Sequence, residues 1–247
     1  MSESMRMWME ITFNIAYLLT IWIIVILMMR AQPNVPDKNK PVTKLFIWAF
    51  ALLALGDTGH VGFRVWAYAL GDLSSTFSVL GLELGLVGLG ALATAYTVTI
   101  FYMLILMIWQ RRYQKPYGWF GALLWVAGIF RLIIMLFPAN EWNNVVPPQT
   151  WSLIRNVPLM IQGLGVAFLI LRDARQTADK PFTWVGIMIL LSYAFYLPVI
   201  LFVQEIPLIG MLMIPKTLAY VAIAFIAYLR LFKPQEDMPT THPLPTD

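Results

Sequence analysis

Cysteine is absent from the 247 residues, which excludes disulfides, thiolate-held metals and a cysteine nucleophile together. Histidine is nearly absent: the only two are His60 and His242. Charge is scarce as well, at 12% of residues, where soluble domains average about a quarter. Apolar residues are abundant, at 60%. A soluble chain of this size cannot bury that much apolar sequence, so lipid must solvate much of it.

Apolar runs of spanning length occur at 11–29, 45–70, 79–110, 118–137, 151–171, 182–204 and 206–229. About 20 residues cross the hydrocarbon core as a helix. The third run is too long and is crowded with Gly81, Gly85, Gly88 and Gly90 at its start. Residues 79–86 therefore read as a lead-in or a tilted extension, with the span itself at 84–110. No run alternates apolar and polar residues over the ten positions of a barrel strand. The expected fold is all-α: residues 1–232 form one bundle of seven transmembrane helices. Residues 233–247, with four prolines and little apolar content, read as a disordered tail. The first run follows Glu3 and Glu10 and lacks a small-residue cleavage site, so it reads as a retained span and not a signal peptide.

The 17 lysines and arginines set the direction of threading. Twelve lie between alternate spans or just after the last: Arg30, Lys38, Lys40 and Lys44; Arg111, Arg112 and Lys115; Arg172, Arg175 and Lys180; Arg230 and Lys233. The opposite loops carry none, and the N-terminal segment carries only Arg6. The positive-inside rule then puts the N-terminus outside and the C-terminus in the cytoplasm. The formal charge of +4 is thus a set of topological markers, and no nucleic-acid partner is expected.

Ionisable groups within hydrocarbon are costly, and they persist where they face a bundle interior, pair, or bind something. Asp57, His60 and Arg64 follow at i, i+3 and i+7 on one face of the second helix. Glu83, Arg131, Arg155 and Lys216 belong to the third, fourth, fifth and seventh spans or their edges. The topology puts all of them between mid-membrane and the outer face, with no matching charge in the cytoplasmic halves. Four cations against two carboxylates leave an excess of positive charge, which either loss of the Lys216 proton or a bound anion would relieve. Arginine forks match carboxylate and phosphate. The expected site is an outward-facing, net-cationic cavity for an anionic lipid-like amphiphile or a small acid. Asn156, Tyr193, Tyr196 and Tyr220 would complete it, with Thr94, Thr97 and Thr99 nearby. Individually, Arg64, Arg131 and Arg155 also suit snorkelling to headgroups.

Two other functions fit the same residues. Asp57 and His60 would serve as the acid–base pair of an enzyme acting on a lipid or isoprenoid. Asp57 and Lys216 would exchange protons in a coupled transporter, although no internal repeat supports a carrier. The loop from Pro138 to Trp151, with Trp142 and Trp151, suits either interface anchoring or a cap on the cavity.

Four segments carry a resemblance: Gly56-Asp57-x-x-His60-x-x-x-Arg64, Phe137-Pro138-x-Asn140-x-Trp142, Trp151-x-x-x-Arg155-Asn156-x-Pro158, and Gly210 to Thr217 around Lys216. Together the chain resembles a group of uncharacterised bacterial seven-helix membrane proteins. That likeness implies a multi-pass protein of the bacterial inner (cell) membrane and brings no activity. It is similar more weakly to microbial rhodopsins, which would imply retinal on Lys216 with Asp57 or Glu83 as counter-ion. Leu212, Pro215 and the lack of tryptophan near Pro198 depart from that pattern. Zinc-dependent seven-helix hydrolases need several histidines, so no comparable zinc centre is expected.

Overall fold

The structure is a computed structural model that describes residues 3–79 and 82–233. Seven α-helices follow in order: α1 (Glu3–Ala31), α2 (Lys40–Ala69), α3 (Leu86–Tyr113), α4 (Gly118–Ile134), α5 (Gln149–Gln176), α6 (Lys180–Phe202) and α7 (Met213–Ala227). A two-stranded hairpin, β1 (Thr76–Val79) and β2 (Leu82–Gly85), stands between α2 and α3. A 3-10 segment, Pro207–Leu212, leads into α7, and a π turn, Tyr228–Phe232, follows it. The expected tail lies outside the described residues after Lys233.

Six of the helices are long and apolar enough to cross a membrane. The outer faces explain why such a chain belongs in lipid. On α1, Ile15, Leu19, Ile23 and Ile26 are exposed, while Tyr17, Ile21, Ile24 and Met28 are buried. On α5, Val157, Ile161, Leu164 and Phe168 are exposed. Both sets recur at helical spacing, so each helix shows an apolar face outward as well as inward, which water would not tolerate. The chain is built as a membrane-embedded helical protein.

The helix outside those six is α4, at 17 residues, which spans roughly 25 Å against about 30 Å of hydrocarbon; α7 reaches 26 residues with the 3-10 and π segments that flank it. It stops before the expected boundary at 137 because Pro138 excludes the helical conformation from the residue before it. Phe137 is extended accordingly, at ψ 131°.

Of the two readings of 79–86, the tilted extension of the span is corrected and a non-helical lead-in stands there. The chain there makes the β1–β2 hairpin, with Phe77 opposite Leu84 and Ser78 opposite Glu83. Leu82-Glu83-Leu84 alternates with period two, which suits a half-exposed strand and not a helix face. Phe77 packs on Trp66 at the end of α2, with ring centroids 5.5 Å apart.

The end of the bundle that carries the basic connections has an aromatic core beneath a wide pocket of about 1550 Å³, which Asn34, Arg112, Lys180, Arg230 and Lys233 line. Phe46, Phe50, Phe101, Trp109, Ile170 and Phe182 are almost wholly buried there. Their rings meet edge to face, as in Phe50–Phe101 at 5.5 Å and Phe46–Phe182 at 6.1 Å. At the other end the helices part around a cavity. The approach of α2 to α3 beside it depends on Gly90, where an added Cβ would come within 2.9 Å of the Cα of His60.

Candidate functional site

The cavity has a volume of about 510 Å³ and is lined by residues of all seven helices and by Trp142. Every residue expected at the site lines it except Glu83 and Tyr193.

On α2, Asp57, His60 and Arg64 all line the cavity, as their shared face requires. Asp57 is held by two hydroxyls: Tyr17 donates to Oδ2 and Thr94 to Oδ1, each at 2.6 Å. The Nδ1 atom of His60 is buried without a hydrogen-bond partner. Among the described residues no hydrogen bond joins Asp57 to His60, so the two are neighbours on a wall and not a preassembled pair.

Arg131 sits at the end of α4 and is 2% exposed. Its Nε donates to the carbonyl of Arg155 at 2.7 Å, and one terminal nitrogen donates to the carbonyl of Ala95 at 2.8 Å and to the Thr99 hydroxyl. These partners order the guanidinium and leave its charge uncompensated, because each is neutral. Arg155, in the first turns of α5, lies 4.5 Å over the ring of Trp142 and donates to Asn140 Oδ1 at 3.4 Å. Such a cation–π contact contributes about 0.5–2 kcal/mol, more as water is excluded.

Lys216 lies three residues into α7. Its ammonium is 4.3 Å from the ring centroid of Tyr196 and 5.6 Å from that of Tyr220. Among the described residues no carboxylate forms a salt bridge with it. Tyr196 is oriented in turn by its hydroxyl, which donates to Asn156 Oδ1 at 3.1 Å, while Asn156 donates to the Ser152 carbonyl. Tyr220 shares a 2.8 Å hydrogen bond with Tyr102.

Two expected site residues stand elsewhere. Glu83 is exposed on β2, where its carboxylate accepts from the Thr76 hydroxyl at 2.6 Å. It left the cavity because its segment is a strand. Tyr193 turns into the core, where its hydroxyl donates to the Leu159 carbonyl at 2.9 Å, one turn of α6 from the cavity wall.

The loop after α4 covers one side of the cavity. Trp142 donates to the Met135 carbonyl at 2.9 Å, and Asn140 donates to the carbonyls of Ile134 and Phe137. Asn143 ties the loop to β2 by accepting from Gly85 N and donating to the Glu83 carbonyl, both at 2.9 Å. Gly88 lets the loop lie against α3, since a Cβ there would overlap the Trp142 carbonyl. The loop is thus a fixed wall, and of its two tryptophans Trp142 faces the site while Trp151 stacks on Phe137 at 6.0 Å.

Tyr17 and Asn140 were not expected at the site. Asn140 stood inside a quoted motif, whereas Tyr17 is one aromatic among many in an apolar run and carries no local signal. A second group was missed at the opposite end, correcting the expectation that buried charge is confined to the cavity half. The Asp173 side chain, with no solvent exposure, accepts from Trp109 Nε1 at 2.8 Å, Lys115 at 2.9 Å and both Nε and a terminal nitrogen of Arg172. Beside it Arg112 pairs with Asp179 at 2.9 Å.

Comparison with known proteins finds no match: no family model, no curated protein and no solved structure resembles the chain significantly. The site must therefore be read from its own chemistry.

Proposed function

We propose that the chain is a multi-pass protein of the bacterial inner membrane that binds an anionic ligand in this cavity. In this reading α4 completes seven crossings, the N-terminus is outside, and the cavity opens on the outer side. One observation carries the binding function: among the described residues four cations, Arg64, Arg131, Arg155 and Lys216, line the cavity against one carboxylate, that of Asp57. That carboxylate is already satisfied by Tyr17 and Thr94. The partners of Arg131 and Lys216 are neutral groups. Uncompensated cations in a low-dielectric wall are costly, and an anion that meets them recovers that cost on binding. A sensor or binding protein uses such a site without further machinery.

The test is native mass spectrometry of the protein purified in mild detergent. The expected result is a co-purifying acidic molecule that is lost from Arg155→Ala and from Lys216→Met. Retention of the same molecule by both variants would remove the cavity from consideration.

A further inference from the structure

Resting on that reading, we infer that the ligand is a single-chain anionic amphiphile, and that it enters from the lipid through the junction of α6 and α7. An apolar stretch of the cavity wall points to this. Val199, Val203, Pro207, Met211, Met213 and Ile214 all line the cavity, and they follow one another along the end of α6, the 3-10 segment and the start of α7. The cations belong to α2, α4 and α5, with Lys216 at the inner edge of the apolar wall. The cavity is therefore polar on one side and hydrocarbon-like on the other. A small hydrated acid would leave the apolar side in contact with water. A chain lying along it releases that water, at about 0.8 kcal/mol per buried methylene. About 510 Å³ falls within the usual range for a single small ligand, roughly 300–1,000 Å³.

The same wall is thin. None of the six residues of Pro207–Leu212 is buried, and a 3-10 segment holds its shape with poorer hydrogen bonds than an α-helix. Phe202, Ile206 and Leu208 are exposed on its outer side. Met213 lines the cavity and is also 37% exposed, so a single flexible side chain separates the interior from the lipid-facing surface. Methionine is unbranched and adapts its shape readily, which suits a position that a chain must pass. The head then lies at Arg131, Arg155 and Lys216, and the chain runs along Val199, Val203 and Met211.

Equilibrium dialysis tests this with the full chain held in a non-ionic amphipol, using labelled laurate, butyrate and dodecanol, with empty amphipol as blank. The expected result is one laurate per chain, bound at least tenfold more tightly than butyrate or dodecanol. Arg155→Gln should reduce laurate to the level of dodecanol. Val203→Phe, which fills the apolar wall, should weaken laurate at least tenfold and leave butyrate unchanged; Met211→Gln gives the same reading should Val203→Phe not fold. Equal binding of butyrate and laurate, both lost in Arg155→Gln, would overturn the chain while keeping the anion site. Dodecanol binding as tightly as laurate would overturn the anionic reading itself, and no saturable binding of any of the three would overturn both.

Discussion

At one end of the bundle a buried carboxylate, Asp173, is surrounded by donors; at the other, Arg131 and Lys216 are surrounded by carbonyls, hydroxyls and aromatic rings. The Asp173 carboxylate is fully paired. Its charge meets Lys115 and Arg172, whose side chains reach outward and are 42% and 40% exposed, and Trp109 closes the inner side. Such a group joins α3 to α5 and asks for nothing more. The cavity end is not paired in this way. Among the described residues its one carboxylate is satisfied by hydroxyls and does not neutralise the cations. The difference teaches how to separate buried charge that serves the fold from buried charge that serves a ligand: the first is matched within the chain and the second is left over.

That comparison breaks most visibly at Asp173. Asp173→Ala strands the indole N–H of Trp109 in the core, which costs about 1–3 kcal/mol; a lower melting temperature with ligand binding unchanged is the expected pair of readings. Asp173→Asn, which keeps an acceptor for Trp109, should cost less. A melting temperature equal to that of the parent in both variants would show that the group does not bear on stability.

Gly88→Ala presses a methyl group into the Trp142 carbonyl, and overpacking of this kind costs about 1–3 kcal/mol. The loop carries Trp142 away from Arg155 as it yields, so stability and ligand affinity should fall together. Thermal melts and the mass-spectrometric occupancy read the two effects separately.

Lys216→Met inverts the Asp173 result. The ammonium makes no hydrogen bond to a described residue, and its removal relieves a buried charge. The empty protein should be as stable as the parent or more so, while anion affinity falls about tenfold, or about 1.4 kcal/mol. A large loss of stability would place Lys216 with Asp173 as a structural group.

The smallest effect lies outside both clusters, in the turn before β1. The amide and hydroxyl of Ser74 both donate to Asp72 and hold its carboxyl below the usual carboxylate range. A carboxyl lowered in the folded state adds stability above its unfolded value and loses it as the pH falls through the lowered one. Asp72 is fully exposed, so the contribution is slight. Ser74→Ala should raise the carboxyl toward its ordinary value, seen by NMR titration, and leave ligand binding unchanged.

Much of the architecture was legible in the chain. Each apolar run holds one of the seven α-helices, because helix formation in lipid follows from local composition and from the need to satisfy every backbone group internally. The spacing of Asp57, His60 and Arg64 was sufficient to bring all three to the cavity, since one helix presents them together. Glu83 failed because its segment, which alternates with period two, pairs as a strand with Thr76–Val79. Tyr193 failed because it stands three residues from Tyr196, close enough to share a helix face, and only packing assigned one to the wall and the other to the core. Asp173 lay two residues beyond the expected end of its span, among basic residues that suggested water and not burial.

The sequence by itself determined that this is a helical, membrane-embedded chain with more buried cations than carboxylates, because composition and 3.6-residue periodicity are local properties. Tertiary structure alone decided which of those charges share a space: Trp142 folded over Arg155, Tyr17 and Thr94 closed on Asp57, and Lys216 was left between two tyrosines. The physical reason is rotation. Each residue turns a helix face by about 100°, so a pairing between helices depends on how each is turned about its axis, which only the packed bundle sets.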